Sequence, residues 1–214
     1  IFKYHGTVNK FIGDAVMAVW GAPLDQPDHA DLAVIAALEC VKAIDQINLK
    51  LKEKGFSEQL NFRIGISSGN AVMGMMGSDR KKNYTALGDT VNFASRLEGI
   101  NKYYGTNILL GENTIRLLQR KIQYRKIDMV KVKGKQESIS IYEPTDMAAD
   151  KKMLFEVYSQ GLALYEKGEF QKAKIFFEKV KMIDTVSSVF FDRCEYLIKT
   201  PPLNWDGVYE FKTK

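Results

Sequence analysis

Gly88-Asp89 punctuates the chain, and after it Val91, Ala94 and Leu97 recur at helical spacing. That period belongs to an amphipathic helix with one apolar stripe, so a helix is predicted from here to Tyr104, with Asp89 able to cap its first turn. Asn92 and Arg96 stand four residues apart on it and are neighbours on one face. A guanidinium is a planar, permanently charged fork suited to phosphate oxygens, and a carboxamide can direct a donor or an acceptor at a sugar oxygen. Taken alone, such a pair is the ordinary content of a solvated helix face. Two further segments change its weight: KFIGDAVMAVWGAP at 10–23 and VKVKGK at 130–135.

The rest of the chain organises by period. VNKF and AVMAVW read as strands around a Gly13-Asp14 turn, and Asp28 opens a long helix with the stripe Ala30, Val34, Ala37, Val41, Ile44 and Leu51, ended by Gly55. LNFRIGISSGNAVMGMMG gives two strands around Ser68-Gly69, followed by a polar loop SDRKKN before the helix described above. The strand TNILLG, a helix ENTIRLLQRK and a hairpin through VKVKGKQESISIYE complete an α+β unit assigned to residues 1–146. Residues 150–214 change character. Two amphipathic helices flank Lys167-Gly168, and Gly161, Tyr165, Phe170, Ala173 and Phe177 resemble a tetratricopeptide-type hairpin; a third helix runs through FFDRCEYLIK. One such hairpin lacks the stacked neighbours of a solenoid, so it reads as a cap on the first unit, with a groove for a protein partner as the other reading. Trp205 is assigned to packing.

Composition narrows the functional classes. With 214 residues and 45% apolar content the chain can bury a sizeable core. It has no apolar run long enough to cross a bilayer and no signal peptide at its start, so a cytoplasmic protein is expected, with no membrane contact from this segment. Cys40 lies in an apolar helical pattern and reads, beside Cys194, as a small buried hydrophobe in a reducing compartment. The net charge of +5 suits polyphosphate ligands. The basic residues are dispersed without a nucleic-acid motif, so nucleic acid is not an expected partner. His5 and His29 lack partners at metal-ligand spacing and are taken as structural.

Together, VNFASR at 91–96, KFIGD at 10–14 and VKGK at 132–135 resemble the class III adenylate and guanylate cyclases. The resemblance implies a ferredoxin-like palm whose first strand is missing from this chain, and head-to-tail pairing of two catalytic domains. Matched residue by residue, Asn92 orients the ribose and Arg96 stabilises charge on the α-phosphate. Lys10 and Thr85 contact the purine, Lys133 grips the triphosphate, and Asp14 is the second of two metal-binding aspartates. Lys10 with Thr85 is the adenine-type set, so ATP is the expected substrate. Guanylate cyclase is the alternative, because a hydroxyl both donates and accepts. The expected cofactors are two Mg2+ or Mn2+ per site, and the expected assembly is a homodimer.

The strand bearing the first metal aspartate has no counterpart before Ile1. The chain therefore reads as part of a larger cyclase with room for a sensor and a membrane anchor, and residues 1–214 alone are expected to show no appreciable cyclase activity. A non-catalytic interaction module on the same scaffold is the competing class.

Overall fold

The apolar run Ile108-Leu109-Leu110 forms a strand buried on both faces, and the other elements are arranged around it. The computed structural model describes residues 1–131, 137–145 and 149–211. Its elements are β1 (Thr7–Ile12), β2 (Ala15–Val19), α1 (His29–Glu53), β3 (Ile64–Ile66), β4 (Val72–Ser78), β5 (Lys81–Leu87), α2 (Asp89–Tyr104), β6 (Ile108–Gly111), α3 (Glu112–Arg116), β7 (Tyr124–Lys131), β8 (Ile139–Pro144), α4 (Ala149–Glu166), α5 (Phe170–Val180), α6 (Thr185–Lys199) and β9 (Tyr209–Glu210). Five strands make a mixed sheet in the order β3-β6-β8-β7-β9, and β1–β2 and β4–β5 are separate antiparallel hairpins. This is the expected α+β architecture.

Alternation along β6 sorts the layers. Ile108 and Leu110 meet Val34 and Ala37 of α1, whereas Leu109 faces Phe93, Leu97 and Tyr104 of α2. The second cluster continues without a break into Tyr158, Phe177 and Phe190 of α4, α5 and α6. The C-terminal helices thus cap the sheet, and each large apolar side chain they bury there contributes about 1.5–3 kcal/mol.

Close approach fixes α2 on the sheet. A Cβ on Gly65 would lie 2.0 Å from the Ala94 carbonyl oxygen, so glycine lets the helix rest directly on β3. Buried Asn101 fastens the contact by donating from its Nδ2 to the carbonyls of Ile64 and Leu97.

Several local expectations are corrected. Gly88, not Asp89, is the residue before the first helical turn of α2, at a φ of 153° that suits glycine; Asp89 sits inside that turn, where its charge complements the helix dipole. The polar loop SDRKKN shrinks to an Asp79-Arg80 turn, because Ser78 pairs with Lys81 and the following polar residues join β5. The helix from Glu112 stops at Arg116: the Gln119 and Arg120 amides leave the helix to donate to the fully buried Asp31 carboxylate. Cys40 is half-buried rather than buried. The tail supplies an unforeseen strand, β9, paired in parallel with β7 through Val130↔Tyr209 and Lys131↔Glu210. Trp205 packs edge-on against Tyr165 and Phe170 and donates to the Tyr165 carbonyl.

Candidate functional site

Among the described residues, the site residues that sequence reasoning selected lie on the β1–β2 and β4–β5 hairpins and on α2. In β1, the register slips between Val8 and Lys10, so Asn9 is an extra residue in the ladder. Such a bulge re-aims its neighbours. Asn9 Nδ2 donates to the Tyr84 carbonyl at 3.1 Å, and its Oδ1 accepts from Thr85 Oγ1 at 3.1 Å. Thr85 is buried on β5 and Lys10 is exposed beside Asn9. Asn9 therefore ties together the strands carrying Lys10 and Thr85. Sequence reasoning passed it over; the available signal was an asparagine inside a strand pattern, where that residue is disfavoured.

From Thr85 the chain runs two residues to Leu87, turns at Gly88 and enters α2. Asn92 is exposed and Arg96 half-buried, about one turn or 6 Å further along the axis. Asp14 is exposed in the turn joining β1 to β2, beyond the Ile12↔Ala15 pair. Lys10, Asp14, Asn92 and Arg96 have no side-chain hydrogen-bond or ion-pair partner among the described residues. Lys133 lies outside the described residues, two positions after the last residue of β7. Asn9 thus joins the strands of Lys10 and Thr85, Asn92 and Arg96 lie on the helix that follows the strand of Thr85, and Asp14 lies in the β1–β2 turn.

Such an arrangement offers two cations, an amide and a hydroxyl to an anionic, hydrogen-bonding ligand. It does not by itself fit a pair of divalent ions. Each hard cation takes roughly six oxygen ligands, and no group of three or more His, Cys, Asp or Glu side chains is placed to hold a metal among the described residues.

Buried ionisable groups gather where the sheet meets the C-terminal helices. Burial lifts the Asp128 and Glu143 carboxyls above the usual range despite Arg193 and Arg125 beside them, and pushes the Cys194 thiol up to about 12. Shifted groups often mark active sites. Here, though, the two carboxyls are engaged within the chain: Arg125 donates to both Asp184 oxygens and to Glu143, and Arg193 donates to Asp128. They serve the junction between the sheet and the C-terminal helices.

Comparison with known proteins gives the architecture a family. Residues 3–143 match the adenylate and guanylate cyclase catalytic domain. Adenylate cyclase 1 of Rhizobium meliloti is 38% identical over 143 residues, covering 67% of this chain and 21% of the relative. The terminal-differentiation specific adenylate cyclase of Dictyostelium discoideum is 32% identical over 207 residues, 91% of this chain but 10% of the relative, so its likeness continues into the C-terminal helices. This chain therefore spans a minor part of either relative. Among solved structures, the adenylyl cyclase CyaB from P. aeruginosa superposes with a TM-score of 0.62 at 32% identity, covering 70% of this chain and 76% of that one. On a match that takes in well over half of its residues and a sheet and helices that superpose on a cyclase palm, the chain belongs to the adenylate and guanylate cyclase catalytic-domain family.

Proposed function

We propose that the protein is an adenylate cyclase, converting ATP to 3′,5′-cyclic AMP and pyrophosphate. The observation that carries the choice of ATP is the hydrogen-bond chain at Asn9. Its Nδ2 is committed to the Tyr84 carbonyl, so its Oδ1 faces Thr85 and the threonine hydroxyl must donate to it. Thr85 Oγ1 is left with acceptor capacity. That suits the exocyclic amino group at the 6-position of adenine, whereas the carbonyl of guanine would meet an acceptor and stay unpaired. The adenylate cyclase relatives support the same reading.

In the reaction, the ribose 3′-oxygen forms a bond to the α-phosphorus, the bond to the bridging oxygen of pyrophosphate breaks, and the hydroxyl proton passes to solvent water. Asn92 holds the ribose so that its 3′-oxygen addresses the phosphorus. Arg96 stabilises the charge that builds on the α-phosphate, a contribution of the kind made by preorganised donors in other phosphoryl transfers. Lys10 contacts the purine and Lys133 the triphosphate. Cyclase domains of this family use divalent metal ions, which lower the barrier as Lewis acids when bound. Two Mg2+ or Mn2+ are our reading, with Asp14 as one ligand; because a lone exposed carboxylate does not fit such a pair, no step is assigned to them.

Pairing of two chains would bring Asp14 of one chain to Lys10, Thr85, Asn92, Arg96 and Lys133 of the other. The hairpins expose Phe11, Ile12 and Val16 together with Val72, Met75 and Leu87, an apolar surface of the kind that is covered in assemblies. We assign it to a homodimer with composite sites. Residues 1–146 are kept as the catalytic unit and 150–214 as its C-terminal segment. Its α4–α5 hairpin is read as tetratricopeptide-like because Gly161 lets Phe177 approach closely. Its apolar side covers the sheet, which favours a cap over a groove for a protein partner. No helix among the described residues is long and apolar enough to cross a membrane; a cytoplasmic site of action is part of our proposal.

The test uses the full-length protein with ATP and GTP side by side under Mg2+ or Mn2+ and identifies the products. Preferential cyclic AMP is expected. Preferential cyclic GMP makes the protein a guanylate cyclase, and a folded dimer inert towards both nucleotides makes it a non-catalytic scaffold. Mixed Asp14→Ala and Arg96→Ala chains should regain activity as heterodimers; no recovery in verified heterodimers overturns the composite site.

A further inference from the structure

The far end of α2 is gripped by the C-terminal segment. Two turns beyond Arg96, Tyr103 and Tyr104 close the helix, and a single side chain of α6 engages both: Arg193 donates from Nε to Tyr103 Oη at 2.9 Å and from Nη2 to Tyr104 Oη at 2.9 Å. Its Nη1 donates to Asp128 Oδ2, which also accepts from the Tyr104 hydroxyl. The guanidinium lies 3.5 Å over the ring of Tyr209 on β9, and that ring stacks on Tyr103. Arg193 is 6% exposed and Asp128 fully buried.

The arrangement depends on an irregularity of β7. Its register slips between Lys126 and Asp128, so Ile127 and Asp128 are both buried where simple alternation would turn one of them away. The bulge carries the carboxylate to the helix face of the sheet. At the same end of α2, a Cβ on Gly105 would come within 2.4 Å of Thr185 Cγ2, so the start of α6 abuts the end of α2 directly. Beside these contacts β9 pairs with Val130 and Lys131, the last described residues of the strand that leads to Lys133.

We propose that Arg193 is a positioning residue for the catalytic helix: by joining α6 and β9 to the last turn of α2 and to Asp128, it sets where Asn92 and Arg96 stand, and it makes the C-terminal helices a working part of the catalytic unit. The inference rests on the assignment of Asn92 and Arg96 given above. A planar guanidinium makes these contacts at once, which a lysine cannot reproduce. Small displacements of a positioned group are costly, since about 1 Å can lower turnover by roughly a hundredfold.

The test compares full-length wild type with Arg193→Lys, Arg193→Met and the double variant Asp128→Asn/Arg193→Met. The double variant removes both charges and so avoids the orphaned carboxylate that can unfold the single Met variant. Expected for the folded double variant is turnover lowered about tenfold or more with KM for ATP within about twofold, and faster hydrogen exchange in the last turns of α2. Arg193→Lys should recover part of the turnover. Wild-type turnover and unchanged α2 exchange in the folded double variant overturn the proposal, as does an effect confined to KM. Arg96→Ala run alongside separates the two readings. If it keeps full turnover, the catalytic assignment fails and the role of Arg193 in catalysis goes with it; if it is inactive while the double variant is not, only the positioning role fails.

Discussion

The candidate site and the junction beneath the C-terminal helices both carry charged side chains, and they treat them in opposite ways. At the junction Arg125, Asp128, Asp184 and Arg193 are less than a tenth exposed, and each is paired within the chain. At the proposed site Lys10, Asp14, Asn92 and Arg96 are accessible to solvent and have no such partner among the described residues. Burial makes an unmet charge expensive, so a chain that buries charges must satisfy them itself. A group kept for a ligand does the reverse: it stays near water until the ligand arrives. The raised carboxyls of Asp128 and Glu143 therefore reflect structure, and the accessible side chains are the ones we propose for ligand binding.

Breaking the junction should have the largest effect on stability. Asp184→Ala removes two contacts of a buried guanidinium and also the α6 cap, since Asp184 Oδ2 accepts from the Ser187 amide at 3.0 Å. A loss of about 3–5 kcal/mol is expected, read by denaturant or thermal unfolding. A loss under about 1 kcal/mol would mean that the junction behaves like a surface ion pair.

Arg96→Ala sharpens the other side. Turnover should fall about a hundredfold, equivalent to about 2.7 kcal/mol of transition-state stabilisation, while unfolding shifts by no more than about 0.5 kcal/mol. Retained turnover with weakened nucleotide binding would make Arg96 a ground-state contact. A large drop in stability would show that it belongs with the junction residues.

The smallest effect is expected where a pair is neither buried nor part of the site. Lys174 donates to Glu195 at 2.7 Å, joining α5 to α6 at the surface, and this hydrogen bond holds the Glu195 carboxyl below its ordinary value of 4.5. A depressed carboxyl contributes stability that is present above the unfolded pKa and lost as pH falls through the folded one. Glu195→Gln should therefore remove a small part of the loss of stability on acidification below about pH 4.5, and salt should shrink the difference between the two proteins. A salt-independent difference would indicate that the pair is shielded from solvent.

How much of the fold is legible in the sequence depends on the range of the interactions concerned. The helix bearing Asn92 and Arg96, the β1–β2 hairpin and the strand Ile108–Gly111 followed from period and punctuation, because side-chain repeats of 3.6 and 2 are local consequences of backbone geometry. The cyclase motifs were readable for the same reason, as short segments with a characteristic order of residues. Where tertiary contacts competed, local reading failed. The helix from Glu112 ended early because Asp31, more than eighty residues away, takes the Gln119 and Arg120 amides. The role of Asn9 could not be read from its neighbours, since its partners Tyr84 and Thr85 arrive from another hairpin.

The amino-acid order alone settled which segments are helices and strands in most of the chain, and which residue types are available for phosphate chemistry. Only the tertiary structure decided that the C-terminal helices share one core with the sheet, that β9 completes its edge, and that Arg193 meets Tyr103, Tyr104 and Asp128 in one place. The physical reason is that burial and pairing are properties of distant segments brought together. A charged residue in a sequence looks the same whether it will face water or an opposite charge, and folding is what distinguishes the two.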